Sequence, residues 1–133
     1  MIWDVPRAPI DGTLANEIDT IPGDWAVVQG FRTKAQQDAL YAQGRTTPGD
    51  IVTQAPYPRS AHCWGLAVDV ARVTPSGQRV WDYAHPAWQQ LQLFVNNSPH
   101  MHGGWHFPIA DNDHIQSVDW IKWRENLITE GRW

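Results

Sequence analysis

His62 and Asp69 stand seven residues apart in Ser60-Ala61-His62-Cys63-Trp64-Gly65-Leu66-Ala67-Val68-Asp69-Val70. An imidazole and a carboxylate brought together suit a borderline cation such as zinc, which needs a third protein ligand and an open position to be catalytic. From Gly65 to Ala71 the residues read as a strand, with Leu66, Val68 and Val70 on one face and Gly65, Ala67, Asp69 and Ala71 on the other. The second face carries the smallest side chains available and one carboxylate, so something bulky could sit against it. On a straight strand an odd offset points His62 and Asp69 to opposite faces, so the chain must bend near Gly65. The same residues also suit an ordinary buried strand with a hydrogen-bonded histidine and a capping aspartate, and the pair taken alone favours that ordinary reading.

Elements on either side must bring other groups to this strand. Asp11 to Asp19 reads as a short helix with Leu14 and Ile18 on one face, broken at Pro22-Gly23. Trp25-Ala26-Val27-Val28 reads as a strand leading into Gly30-Phe31-Arg32. Thr33 and Gln36 form a capping box, and Ala35, Ala39, Leu40 and Ala42 supply an apolar helical face ending at Gly44. Arg32 falls just before that N-cap, where it could meet an anion or stay a solvated surface arginine. The prolines and glycine of Thr46 to Pro58 predict a long irregular loop that could wall a cleft.

Beyond the central strand, Thr74-Pro75-Ser76-Gly77 is a turn signal and Gln78 to Trp81 a returning strand. Pro86 opens a helix carrying Trp88, Leu91, Phe94 and Val95, which Asn96-Asn97-Ser98-Pro99 stops. A last helix after Ser117 presents Trp120, Ile121, Trp123, Leu127 and Ile128 as a core stripe. Nine tryptophans are many for 133 residues. Most should supply core area, while Trp64 and Trp105 flank the candidate site and could stack on sugar rings. Cys63 reads as a small buried hydrophobe.

The chain length suits one domain spanning residues 1–133, and hydrophobic and charged contents of 42% and 18% are those of a globular protein. A formal charge of −4 without a Lys/Arg run argues against nucleic acid or an anionic membrane as the main partner. Neither a signal-peptide pattern nor an apolar run of spanning length is present, and the single cysteine cannot form an internal disulfide. These features predict a monomer made in the cytoplasm.

Ser60-x-His62-x-x-Gly65-x-Ala67-x-Asp69 resembles the signature of the VanY-like zinc peptidases, which include D-alanyl-D-alanine carboxypeptidases and phage L-alanyl-D-glutamate endopeptidases. Gly30-Phe31-Arg32-Thr33, Gln36-Gln37 and Leu40-Tyr41-Ala42-Gln43-Gly44-Arg45-Thr46 resemble the corresponding upstream segment of the phage enzymes. The resemblance covers about residues 27 to 116. It implies an α+β fold of the hedgehog and D-Ala-D-Ala-peptidase type, a small antiparallel sheet flanked by helices. It also implies Zn2+ held by His62, Asp69 and a third histidine. After Gly103-Gly104, Asp111-x-x-His114 has the spacing of the family's catalytic carboxylate and third ligand, with Asp113 and Ile115 replacing the usual Pro and Phe.

His100, His102 and His106 compete with His114 for that role. His106 resembles the Trp-His of other branches, but the Glu expected three residues earlier is Gly103 here, so His114 is the choice that retains a carboxylate base. The resemblance gives Asp111 proton transfer, Arg32 the substrate carboxylate or developing oxyanion, and Ser60 an orienting role, with Trp105 as a further substrate contact. The implied reaction is hydrolysis of an amide in the peptidoglycan stem peptide, most of all the L-alanyl-D-glutamate bond, on the wall after release from the cell. A D-alanyl-D-alanine carboxypeptidase and a non-catalytic zinc-containing wall-binding module are the alternatives.

Overall fold

A computed structural model describes residues 1–133. Six strands, β1 (Ile2–Trp3), β2 (Trp25–Gln29), β3 (Ala67–Val73), β4 (Arg79–Val80), β5 (Met101–Gly103) and β6 (His114–Ser117), form one sheet. Four helices, α1 (Gly12–Asp19), α2 (Lys34–Ala42), α3 (Pro86–Asn96) and α4 (Trp120–Thr129), flank it. The order across the sheet is β1-β2-β3-β6-β5, with β4 pairing with β3; only the short β1–β2 pair is parallel. This is the α+β architecture that the sequence implied. No helix is long and apolar enough to cross a membrane.

The local signals act as their chemistry dictates. Asp11 caps α1 by accepting from the Leu14 N–H, and Thr33 and Gln36 complete both halves of the capping box on α2. Pro86 opens α3, where its missing N–H costs nothing. The Thr74–Gln78 turn returns the chain as β4 against β3. Leu14, Ile18, Trp88, Leu91 and Val95 then pack on Val27, Val68, Val70 and Ile115, placing the main core on one face of the sheet. Trp25 and Trp88 meet edge to face within it.

The opposite face is divided. At one end Ala61, Leu66, Ala67, Trp120 and Leu127 make a second, smaller core under α4. Leu66 therefore does not share a face with Val68 and Val70 as strict alternation predicts. The strand begins only at Ala67, and the bend before it turns Leu66 toward α4. Beyond this small core the same sheet face carries Gln29, Asp69 and His114, cross-strand neighbours in register, with Asp69 in the middle.

Two helix faces differ from their expected roles. On α2, Ala35 and Ala39 face solvent, and the buried residue is Gln37. On α4 only Trp120 and Leu127 are buried; Ile121, Trp123 and Ile128 are 51%, 48% and 54% exposed. The buried seam is narrower than that stripe because Trp120 and Leu127 of α4 dock on only Ala61, Leu66 and Ala67 rather than on the main core.

A candidate metal centre beside a cavity

Gly65 makes the bend that joins His62 to Asp69. It stops the 3-10 turn Ala61–Trp64 in the left-handed region, at φ 67°, and a Cβ there would lie 2.4 Å from the Pro9 carbonyl oxygen. The turn carries His62 back over the strand face from which Asp69 projects. From the other side β6 delivers His114 directly opposite Asp69. The potential ligand atoms of His62, Asp69 and His114 all lie within 4.8 Å of one another. His62 Nε2 and His114 Nδ1 each approach Asp69 Oδ1 at 3.2 Å.

The outer nitrogens explain how the inner ones are set. His62 Nδ1 lies 2.8 Å from the Gly30 carbonyl oxygen, which only accepts, so this nitrogen carries a proton. His114 Nε2 lies 2.9 Å from Gln116 Oε1, and donation there likewise places the proton on the outer nitrogen. Each neutral imidazole then presents a lone pair toward Asp69. Two lone pairs and a carboxylate oxygen converging in a buried site repel one another unless a cation or added protons lie among them, and the donor set fits zinc. In the free chain, burial opposes charge on His114, yet its bonds with Asp69 and Gln116 outweigh that and hold its pKa above the ordinary value. Burial also disfavours the Asp69 carboxylate, but His62 and His114 hold its pKa well below the usual range.

Asp69 is braced from behind. Its second oxygen, Oδ2, accepts from Arg32 Nη2 at 3.2 Å, and the Arg32 backbone N–H donates to the His62 carbonyl at 3.0 Å. Arg32 is therefore turned onto a candidate ligand; its Nη1 and Nε donate to Gln37 Oε1 at 3.2 Å and Gln29 Oε1 at 3.4 Å, and the residue lines the adjoining cavity. Ser60 lines that cavity too. Asp111 stands at its margin with its side chain half exposed and Oδ2 3.9 Å from His114 Nδ1. Gly104 makes this approach feasible: its carbonyl accepts from the Asp111 N–H at 2.9 Å, and any Cβ would fall 2.4 Å from the Asp111 carbonyl oxygen.

The structure separates the competing aromatic and histidine residues. His106 hydrogen-bonds Asn96 Oδ1 at 2.8 Å and does not line the cavity. His102 does line it but belongs to no three-ligand group. Trp105 packs against the main core, donates to Asn96 and lies outside the cavity, so the expected substrate contact is not where the structure puts it. Trp64 stacks on Trp123 and donates to the Pro58 carbonyl. Both tryptophans serve packing, in line with what most tryptophans do in a small domain.

Four residues that sequence reasoning did not single out belong to the site. Gln116 orients His114, two residues away on the same strand face, an i, i+2 relation that was legible in principle. Gln37 holds Arg32 Nη1 at 3.2 Å. Asp113 accepts from Trp81 Nε1 at 3.1 Å, and burial, with the charges of Asp69 and Asp111, raises its carboxyl pKa to about 8. Tyr83 lines the cavity, and burial, together with Asp113, Asp111 and Asp69, pushes its phenol pKa up, leaving a protonated donor. Asp113 stood in the sequence only as the replacement of the usual Pro beside His114, and no sequence signal marked Tyr83, which only the tertiary fold brings to this cavity.

The cavity has a volume of about 1030 Å³. Ile51 to Ala55 of the long loop form one wall, and Phe107 to Ala110 with Trp120, Ile121 and Arg124 form the other. Ile51, Val52, Ile109 and Ile121 expose apolar surface along it. An acidic, metal-competent floor below apolar walls can hold a peptide by its side chains while presenting one amide to the floor.

Residues 13–125 match the family model described as VanY, D-alanyl-D-alanine carboxypeptidase. A curated relative, the peptidoglycan L-alanyl-D-glutamate endopeptidase CwlK of Bacillus subtilis (strain 168), is 46% identical over 59 residues, covering 44% of this chain and 35% of that protein. The match thus spans about a third of that relative's length. The crystal structure of the Serratia marcescens L-Ala D-Glu endopeptidase ChiX shares the fold at a TM-score of 0.63 and 21% identity, over 87% of this chain and 86% of that one.

Proposed function

Because this chain belongs to the VanY family, we propose that it is a zinc-dependent peptidoglycan endopeptidase that hydrolyses the L-alanyl-D-glutamate bond of the wall stem peptide. The observation that carries the reading is the convergence of His62 Nε2, Asp69 Oδ1 and His114 Nδ1, with both outer imidazole nitrogens engaged by acceptors. Zinc held there would supply Lewis acidity, polarising an amide carbonyl and lowering the pKa of water toward about 7.

The remaining steps belong to side chains of this chain. Asp111, half exposed at the cavity margin, takes the proton of the attacking water and returns it to the leaving amine. Arg32 keeps Asp69 aimed through its bond to Oδ2, and its guanidinium, lining the cavity, offers positive charge to the carbonyl oxygen as charge develops on it. The apolar walls grip the peptide on both sides of the scissile bond and exclude bulk water.

A cavity of about 1030 Å³ with walls from two separate loops favours a peptide running through over a closed site for one terminal residue. It supports the endopeptidase reading above the carboxypeptidase one. The test is digestion of purified peptidoglycan with zinc-loaded protein, followed by mass spectrometry of the products. New L-alanine carboxyl termini and D-glutamate amino termini are expected. Release of D-alanine alone would select the carboxypeptidase, and no product from fully zinc-loaded protein would favour a binding module.

A further inference from the structure

Gln37 is the buried residue of α2 and is wholly inaccessible to solvent. A helix that exposes most of its surface gains nothing by burying an amide where a leucine would fit, unless the amide makes its hydrogen bonds. Gln37 makes them in two directions. Its Oε1 accepts from Arg32 Nη1 at 3.2 Å. Its Nε2 donates to the Ala55 carbonyl at 2.7 Å, with Thr53 Oγ1 at 3.5 Å. The orientation of the amide follows from its partners, since a guanidinium only donates and a carbonyl only accepts.

Arg32 leads from this amide to Asp69 Oδ2, and Ala55 lies in the cavity wall. Two other side chains near the C-terminus of α2 hold this loop: Arg45 donates to the Thr53 carbonyl of the wall at 3.1 Å, and Gln43 to the Asp50 carbonyl just before it at 2.9 Å. Neither contacts Arg32, so Gln37 alone connects the wall to the carboxylate. We propose that Gln37 is a positioning residue that ties the Arg32–Asp69 pair to the 51–55 wall of the cavity. The aim of the metal-facing carboxylate and the placement of the substrate wall are then set by one side chain.

Two substitutions separate the two ties. Gln37→Glu keeps an acceptor for Arg32 but has no donor for the Ala55 carbonyl, whereas Gln37→Met fills similar space and makes neither bond. The readouts are amide hydrogen exchange at Ala55, whose N–H donates to Thr53 Oγ1 at 3.2 Å, zinc affinity by chelator competition, and kcat and KM on a soluble stem peptide, all with the full chain. Loss of one buried hydrogen bond corresponds to about a tenfold change. Both variants should exchange about tenfold faster at the Ala55 amide and show a raised KM. Only Gln37→Met should weaken zinc binding, by about tenfold, and that loss should vanish in an Arg32→Ala background.

Unchanged exchange in either folded variant overturns the proposal. So does a zinc-affinity loss that persists undiminished when Arg32 is already absent. The kinetic readout rests on the peptidase reading. If the wild type cleaves no wall peptide, that reading fails by itself, and the exchange and zinc measurements still decide the role of Gln37.

Discussion

Replacing Gln116 by leucine removes the acceptor for the His114 Nε2–H while keeping most of the side-chain volume. In the native chain this bond is buried and 2.9 Å long, and it places the proton on the nitrogen facing away from Asp69. Without it, the favoured tautomer carries its proton on Nδ1, 3.2 Å from Asp69 Oδ1. That tautomer satisfies the metal-free protein, because Nδ1–H then donates to the carboxylate. The stability lost in the presence of chelator should be no more than one net hydrogen bond, about 0.5–1.5 kcal/mol. Zinc binding suffers more, since the proton must be moved before Nδ1 can ligate and the ring has lost its orienting partner. Removing such a partner costs about 10–100-fold in metal affinity, or about 1.4–2.7 kcal/mol. Competition against a chromophoric chelator at neutral pH, beside urea unfolding in excess chelator, measures both quantities. Gln116→Glu retains an acceptor and should recover most of the affinity. A folded Gln116→Leu protein that binds zinc within about twofold of the wild type would refute the reasoning that the outer hydrogen bond sets the tautomer.

The other predictions concern the same site and its support. Wall-lysing activity should disappear on exhaustive chelation and return with zinc; activity persisting in protein shown to be zinc-free would exclude the metallopeptidase reading. Asp111→Asn should bind zinc normally and lose about a hundredfold to ten-thousandfold in turnover, whereas His62→Ala and Asp69→Ala should lose both metal and activity. Elemental analysis of His114→Ala and His106→Ala should find zinc missing from the first and stoichiometric in the second, and the reverse would move the third ligand to His106. Gly65→Ala, which places a Cβ against the Pro9 carbonyl at a φ of 67°, should cost at least about 2 kcal/mol in denaturant unfolding. An alanine variant of near-native stability would show that the bend tolerates an ordinary residue.

Local chemistry marks much of this protein in its sequence. The caps at Asp11 and Thr33, the proline opening α3 and the Thr74–Gln78 turn are short-range features, each stabilised by atoms a few residues apart. The need for a bend at Gly65 followed from the parity of the His62–Asp69 spacing alone, and the resemblance to VanY-like peptidases added Asp111-x-x-His114. What α2 and α4 bury could not be read the same way. Helical periodicity shows that a face is apolar, not how large a surface awaits it, and the small cluster beneath α4 accepts Trp120 and Leu127 while leaving Ile121, Trp123 and Ile128 in solvent.

The sequence by itself determined which groups could ligate a metal and where the chain must turn to present them. Only the tertiary structure decided which groups surround those ligands. Gln37 reaches Arg32 and Ala55, Gly30 offers its carbonyl to His62 across 32 positions, and Trp81 meets Asp113 across the same separation. Trp105 turned to the core instead of the cavity. The candidate pair His62 and Asp69 depends on side-chain type and short spacing, which a sequence carries, while His114 was reached through the family resemblance. The orienting hydrogen bonds depend on strand register and on loops closing over long separations, where a shift of one residue would exchange every facing partner.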